Sequence, residues 1–140
     1  MSESEAGHRL IPHTADLRIE AWAPTRERCL AEAVAALVDS FLERPLPCAS
    51  TAVETSLPAD SDENVLVGVL EEVIFQGEVS GMVPVATEVS ADRSGVRVRF
   101  QMVDLAAATP CGAVPKAVSL HRLRFRRDSH GWRCAVTIDV

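Results

Sequence analysis

Tyrosine is absent from these 140 residues, aromatic side chains make up only 4%, and lysine occurs once, at Lys116. The other thirteen basic residues are arginines, and together they are outnumbered by twenty acids, for a net charge of −6. A shortage of positive charge argues against a free-standing nucleic-acid binder, whose usual footprint is a basic domain. No apolar run approaches the ~18–20 residues of a membrane span. The start Met1-Ser-Glu-Ser-Glu-Ala lacks the basic opening of a secretory signal, so a cytoplasmic protein is expected. The four cysteines, Cys29, Cys48, Cys111 and Cys134, show no CxxC spacing, which excludes zinc ribbons and thioredoxin-like motifs. They read as reduced thiols, mostly small core residues, with Cys111 in an exposed stretch the one candidate nucleophile. No GxGxxG, P-loop, HExxH or GxSxG occurs, so the common nucleotide and hydrolase fingerprints are missing.

What is present is a patterned chain, 47% hydrophobic. No linker, repeat or low-complexity segment divides it, and one domain over 1–140 is expected, with residues 1–8 frayed. Leu17, Ile19 and Ala21 alternate with Arg18, Glu20 and Trp22, which predicts a strand with one wetter face. Thr25 can cap a helix whose apolar stripe is Leu30, Val34, Leu37, Val38 and Phe41, stopped by Pro45 and Pro47. A short strand over 52–57 follows. Asp60-Ser61-Asp62-Glu63 then supplies the cap and acidic first turn of a second helix, which ends around Gly77. From there the period shortens to two: strands over 84–90 and 96–103, then 117–125 and 132–140. Helices segregated from antiparallel strands predict an α+β two-layer sandwich, an antiparallel or mixed sheet with two helices on one face.

Three polar segments interrupt this apolar pattern. Pro12-His13-Thr14-Ala15-Asp16 precedes the first core strand, Lys116-Ala117-Val118-Ser119-Leu120-His121 enters the penultimate one, and Ile138-Asp139-Val140 closes the sequence. Asp139 beside a Val140 carboxylate crowds two anionic groups, which is costly unless a cation or basic side chain sits there. If Asp16 lies across the sheet end from them, three carboxylates converge. Oxygen-only ligation suits Ca²⁺, Mg²⁺ or Mn²⁺ rather than zinc. A solvated terminus is the plain alternative. His13 and His121 can equally be hydrogen-bonded structural groups, and Lys116 a solvated strand-edge lysine.

Taken together, these segments resemble the archease family, small proteins that assist the RtcB-type RNA ligase of tRNA splicing and RNA repair. The resemblance rests on His13-Thr14-Ala15-Asp16, on Lys116-Ala117-Val118 with His121, on Ile138-Asp139-Val140, and on the acidic helix entry Asp62-Glu63-Asn64-Val65-Leu66-Val67. It runs from about His8 to Val140. It implies a strand-helix-strand-strand fold with an inserted helical segment, and a divalent-metal site, with calcium foremost, at Asp16, Asp139 and Val140. His13, Lys116 and His121 are then supporting or partner-facing residues. It further implies a non-enzymatic activator that promotes the ligase's GTP-dependent guanylylation and turnover. An acidic protein fits that role, and no direct, stable nucleic-acid binding of its own is expected. Arg18, Gly68 and Ser119-Leu120 depart from the family pattern.

Two other readings compete with this one. A general partner-modulating or chaperone-like domain would use the same acids structurally. A small hydrolase would need Ser119 as nucleophile with His13 or His121 as base, and no oxyanion-hole signature supports it.

Overall fold

The computed structural model describes residues 5–12 and 16–140. Strands β1 (Gly7–Pro12) and β2 (Asp16–Ala23) lead into helix α1 (Arg26–Asp39). Strand β3 (Thr51–Pro58), helix α2 (Asp62–Ser80) and the hairpin β4 (Met82–Asp92) and β5 (Gly95–Asp104) follow. After a 3₁₀ turn at Leu105–Ala107, the hairpin β6 (Ala117–Asp128) and β7 (Gly131–Asp139) ends the fold. The strands form two antiparallel sheets, ordered β1-β2-β7-β6 and β3-β5-β4. The α+β class and the two helices stand as the alternation and helical spacing predict, with the strands divided between two sheets. Among the described residues no helix is long and apolar enough to cross a membrane.

Local chemistry explains the element boundaries. Thr25 caps α1 by accepting the Arg28 amide at 3.2 Å, and Ser61 caps α2 by accepting that of Asn64 at 3.2 Å, each satisfying an otherwise orphaned helical donor. Arg26 ties the two helix starts together through Asp62 Oδ1 at 2.9 Å. That carboxylate, with neighbouring Glu27, raises the Arg26 pKa. Helix α2 runs past its anticipated end at Gly77 to Ser80, where Gly81 adopts φ 65° and closes it. A glycine at that left-handed position ends a helix without Cβ strain. Gly68, inside α2, serves packing: a Cβ there would lie 3.3 Å from Leu57 Cδ2, so its absence lets β3 press on the helix backbone.

One apolar core draws on both sheets and both helices. Ile19 from β2, Leu30 and Leu37 from α1, Leu66 and Leu70 from α2, Phe100 and Met102 from β5, and Val136 and Ile138 from β7 are fully enclosed. Helix α1 is buried over a wider arc than its leucine-valine stripe: Ala33 and Ala36 are also enclosed, because it touches strands of both sheets. Val38, Phe41 and Leu42 join Val83 and Val103 in a smaller second cluster.

Two expectations are corrected. Gly7 and His8 do not fray. They pair with Trp22 and Ala21, and the His8 ring reaches Glu32 at 2.7 Å and Asp39 at 2.8 Å on α1, clamping the edge strand to the helix. The expectation for residues 1–4 falls outside the described residues. Among the thiols, Cys29 and Cys134 are buried as core residues, but Cys48 is exposed with Cys111. Contact with Cys134 and then burial push the Cys29 thiol well above its ordinary pKa, so it is held as an unreactive thiol.

Phe100→Ala removes the largest fully enclosed side chain and is expected to cost about 3–5 kcal/mol, read as a lower urea midpoint at unchanged slope. A cost below ~1 kcal/mol would contradict this core. A thiol reagent should titrate Cys48 and Cys111 in the native protein, and Cys29 and Cys134 only after denaturant is added.

Candidate functional site

The site forms where three strand ends meet. β7 is a central strand, flanked by β2 and β6, so its last residues have a neighbour on each side. In the β2–β7 register Asp16 stands directly opposite Asp139, and in the β6–β7 register Ala117 stands opposite Asp139 from the other flank. The Lys116 amide closes this end by donating to the Asp139 carbonyl at 2.8 Å. Thus two of the three polar segments, 12–16 and 116–121, about 100 residues apart in sequence, become neighbours through pairing with the third.

Side-chain direction follows from the pleat. Leu17 and Ile138 are opposed and buried on the helix-covered face. Asp16 and Asp139, one residue away on each strand, therefore share the outer face. Directly opposed side chains have Cβ atoms ~4.5–5.5 Å apart, and like charges in that relation are unfavourable. The pair thus concentrates negative potential at the sheet end. Val140 packs its side chain partly against the core, which fixes the main chain beside Asp139. Among the described residues no three His, Cys, Asp or Glu side chains cluster as a metal site. The set available is two carboxylate side chains with the Val140 main-chain oxygen beside them, all hard oxygen donors, a chemistry that fits Ca²⁺, Mg²⁺ or Mn²⁺.

Of the other anticipated residues, His13 lies outside the described residues. Lys116 is exposed at the same end. His121 is also exposed, but not on a regular strand. The β6–β7 register holds through Ser119↔Thr137 and resumes at Arg124↔Ala135, so Leu120–Leu123 bulge opposite Val136 alone. Arg122 adopts φ 58° there, a left-handed conformation uncommon outside glycine. The Ser119 hydroxyl accepts the His121 amide at 3.2 Å within this bulge. It serves a local turn, with no imidazole paired to it among the described residues, and the hydrolase reading gains nothing. Leu120 is left 68% exposed at the bulge tip.

Arg18 is the residue whose role the linear sequence hides. Its guanidinium donates to Thr137 Oγ1 at 3.1 Å and to the Arg122 carbonyl at 3.0 Å, so it straps the bulge of β6 across β7 to β2. One trace of the bulge was available in sequence. Val118 and Phe125 both pack on the core yet lie an odd number of residues apart, which no continuous strand allows. Arg18→Met keeps the aliphatic stem and removes both bonds. It is expected to lower stability by about 1 kcal/mol and to speed amide exchange over 120–123, with α1 unaffected. Unchanged exchange in the bulge would refute the strap.

Known proteins share this arrangement of chain. The Archease protein family profile matches residues 8–140. "Probable protein archease" of Mycobacterium tuberculosis is 50% identical over 137 residues, covering 98% of this chain and 76% of that relative. "Protein archease" of Methanosarcina barkeri is 24% identical across the full length of both. Two solved structures share the fold. The solution structure of Methanobacterium thermoautotrophicum protein 1598 has a TM-score of 0.74 at 15% identity, covering 96% of this chain and 99% of that one. A Thermotoga maritima archease, described as a possible chaperone, has a TM-score of 0.68 at 22% identity, covering 94% and 96%. With a family match over nearly its whole length and a relative at half identity, this chain belongs to the archease family.

Proposed function

We propose that this protein is a metal-binding accessory protein that activates an RtcB-type RNA ligase in the cytoplasm, promoting its GTP-dependent guanylylation and turnover in tRNA splicing or RNA repair. The observation that carries the reading is the cross-strand pairing of Asp16 with Asp139 beside Val140. Asp16, Asp139 and the Val140 carboxylate would hold the cation, with Ca²⁺ the first candidate. A bound divalent cation would supply a concentrated positive charge to stabilise phosphate oxygens in a partner's site. The chain's own residues do the positioning. The Lys116 amide keeps the ends of β6 and β7 from splaying. Arg18 directs its charge to Thr137 and to the bulge carbonyl. Lys116, just before β6, and Leu120 and His121 in its bulge are exposed, and offer a partner a mixed basic and apolar edge. No nucleophile–base pair is asked of this chain: its role is non-enzymatic.

Calorimetric titration with Ca²⁺, Mg²⁺ and Mn²⁺ tests the site. Wild-type protein should give saturable heat, weakened at least about tenfold, or ~1.4 kcal/mol, by Asp139→Asn or by Asp16→Asn. A one-residue extension beyond Val140 should act likewise. The same variants should lose stimulation of guanylylation of a ligase from the same source while keeping the native unfolding midpoint. Full stimulation by both Asp variants, with no saturable heat from wild type, would favour the chaperone-like reading instead.

A further inference from the structure

The outer face of the β1-β2-β7-β6 sheet carries more than the acidic end. Its cross-strand rows follow from the register. One row is Gly7, Trp22, Arg133 and Arg126; the next is Arg9, Glu20, Ala135 and Arg124; then come Arg18 and Thr137; and last Asp16 and Asp139. Charge on this face is therefore segregated, acidic at one end and arginine-rich with an indole at the other. The net charge of −6 averages over these regions. It hides the fact that residues 116–140 carry six basic side chains against two acids.

The arginine-rich end has the features of a built surface. Trp22 has the guanidinium carbons of Arg9 and Arg133 each 5.8 Å from its ring centroid, a cation–π arrangement. The indole lies across Gly7, where a Cβ would come within 2.6 Å of Trp22 Cζ2. Arg9 is paired with Glu20 at 2.8 Å and Arg133 with Asp128 at 3.3 Å, whereas Arg124 and Arg126 have no ion-pair partner among the described residues. Arg126 stands directly opposite Arg133, a like-charge juxtaposition that costs sheet stability. Between them Ala135 forms a low floor, and the whole makes a shallow, open depression of about 280 Å³.

We propose that this end of the sheet face binds single-stranded RNA, with a base against Trp22 and backbone phosphates on Arg124 and Arg126. A flat, open β-face combining an aromatic platform with arginines is suited to splayed bases and a flexible anionic backbone. An acidic protein surface would use the arginines but has no need of the indole they flank. The choice of RNA over DNA rests on the ligase-activating role proposed above; the single-strand chemistry rests on the sheet face alone. This proposal departs from the expectation, drawn from the acidic net charge, of no direct, stable nucleic-acid binding. It also places an RNA segment on the same face as the candidate metal end, with Arg18 between them.

Fluorescence anisotropy of an end-labelled oligouridylate, with the full chain, chelator present and no ligase, tests the proposal. Saturable binding is expected at low salt, with a log–log salt slope of about −1.5 to −3 for two to four phosphates. Arg124→Glu with Arg126→Glu should weaken it by at least about tenfold, and Trp22→Leu should weaken it while leaving the salt slope unchanged. Asp139→Asn should leave binding intact. Circular dichroism and thermal unfolding confirm that each variant folds; Arg124→Gln with Arg126→Gln replaces the charge reversal if that variant does not. Absence of binding overturns the proposal, as does binding indifferent to these variants. Displacement of the RNA by polyglutamate as readily as by unlabelled RNA overturns it in favour of an acidic protein partner. Because ligase and divalent metal are both absent, failure here is separate from failure of ligase activation, which Asp139→Asn reports.

Discussion

The pairing of β2 with β7 is the constraint on which the candidate site depends. It joins Asp16 to Asp139 and Ala23 to Trp132 in one unbroken register, so the ends of the described fold are held by main-chain hydrogen bonds along a whole strand. A slip of one residue would invert the strand that moved: β2 would turn Leu17 and Ile19 out of the core and Asp16 into it, or β7 would do the same with Val136, Ile138 and Asp139. Burial of those four side chains therefore also sets the separation and direction of the acids. The opposed carboxylates are tolerated because the cost of placing them together is small beside that of unpacking the strand pair.

The same register produces the division of the outer face. With apolar residues committed to the helix side, every alternate position on four strands is displayed together, and the character of each row follows from which residues the pairing brings abreast. Arg18 stands at the boundary between the acidic and arginine-rich ends. Its bonds to Thr137 and the Arg122 carbonyl direct it to holding the β6 bulge rather than to neutralising the aspartates. The bulge in turn places Leu120 and His121 outside the sheet, close to the acidic end.

Much of the fold is legible in sequence. The caps at Thr25 and Ser61, the stripe from Leu30 to Phe41, the change of period after Gly81 and the family motifs all depend on residues near one another in the chain. The first strand was hidden because Gly7–Pro12 is short, has no period-two alternation (His8 and Arg9 are adjacent, as are Leu10 and Ile11), and depends on β2 for its hydrogen bonds. The end of α2 was misplaced because Gly77 is a poor helix former, yet the helix runs on to Ser80 and closes only where Gly81 turns left-handed. The β6 bulge left a single trace, the parity break between Val118 and Phe125.

From the sequence alone one could determine the α+β class, the helix starts, the all-oxygen character of the acidic segments and membership of a family. Only the tertiary structure decided that Asp16 and Asp139 stand opposite one another, that Arg18 straps the bulge, and that Trp22, Arg124, Arg126 and Arg133 share a face with those acids. The physical reason is that composition and spacing describe neighbours along the chain. Strand register, chosen by the burial of apolar side chains on the other face, decides which distant charges become neighbours in space.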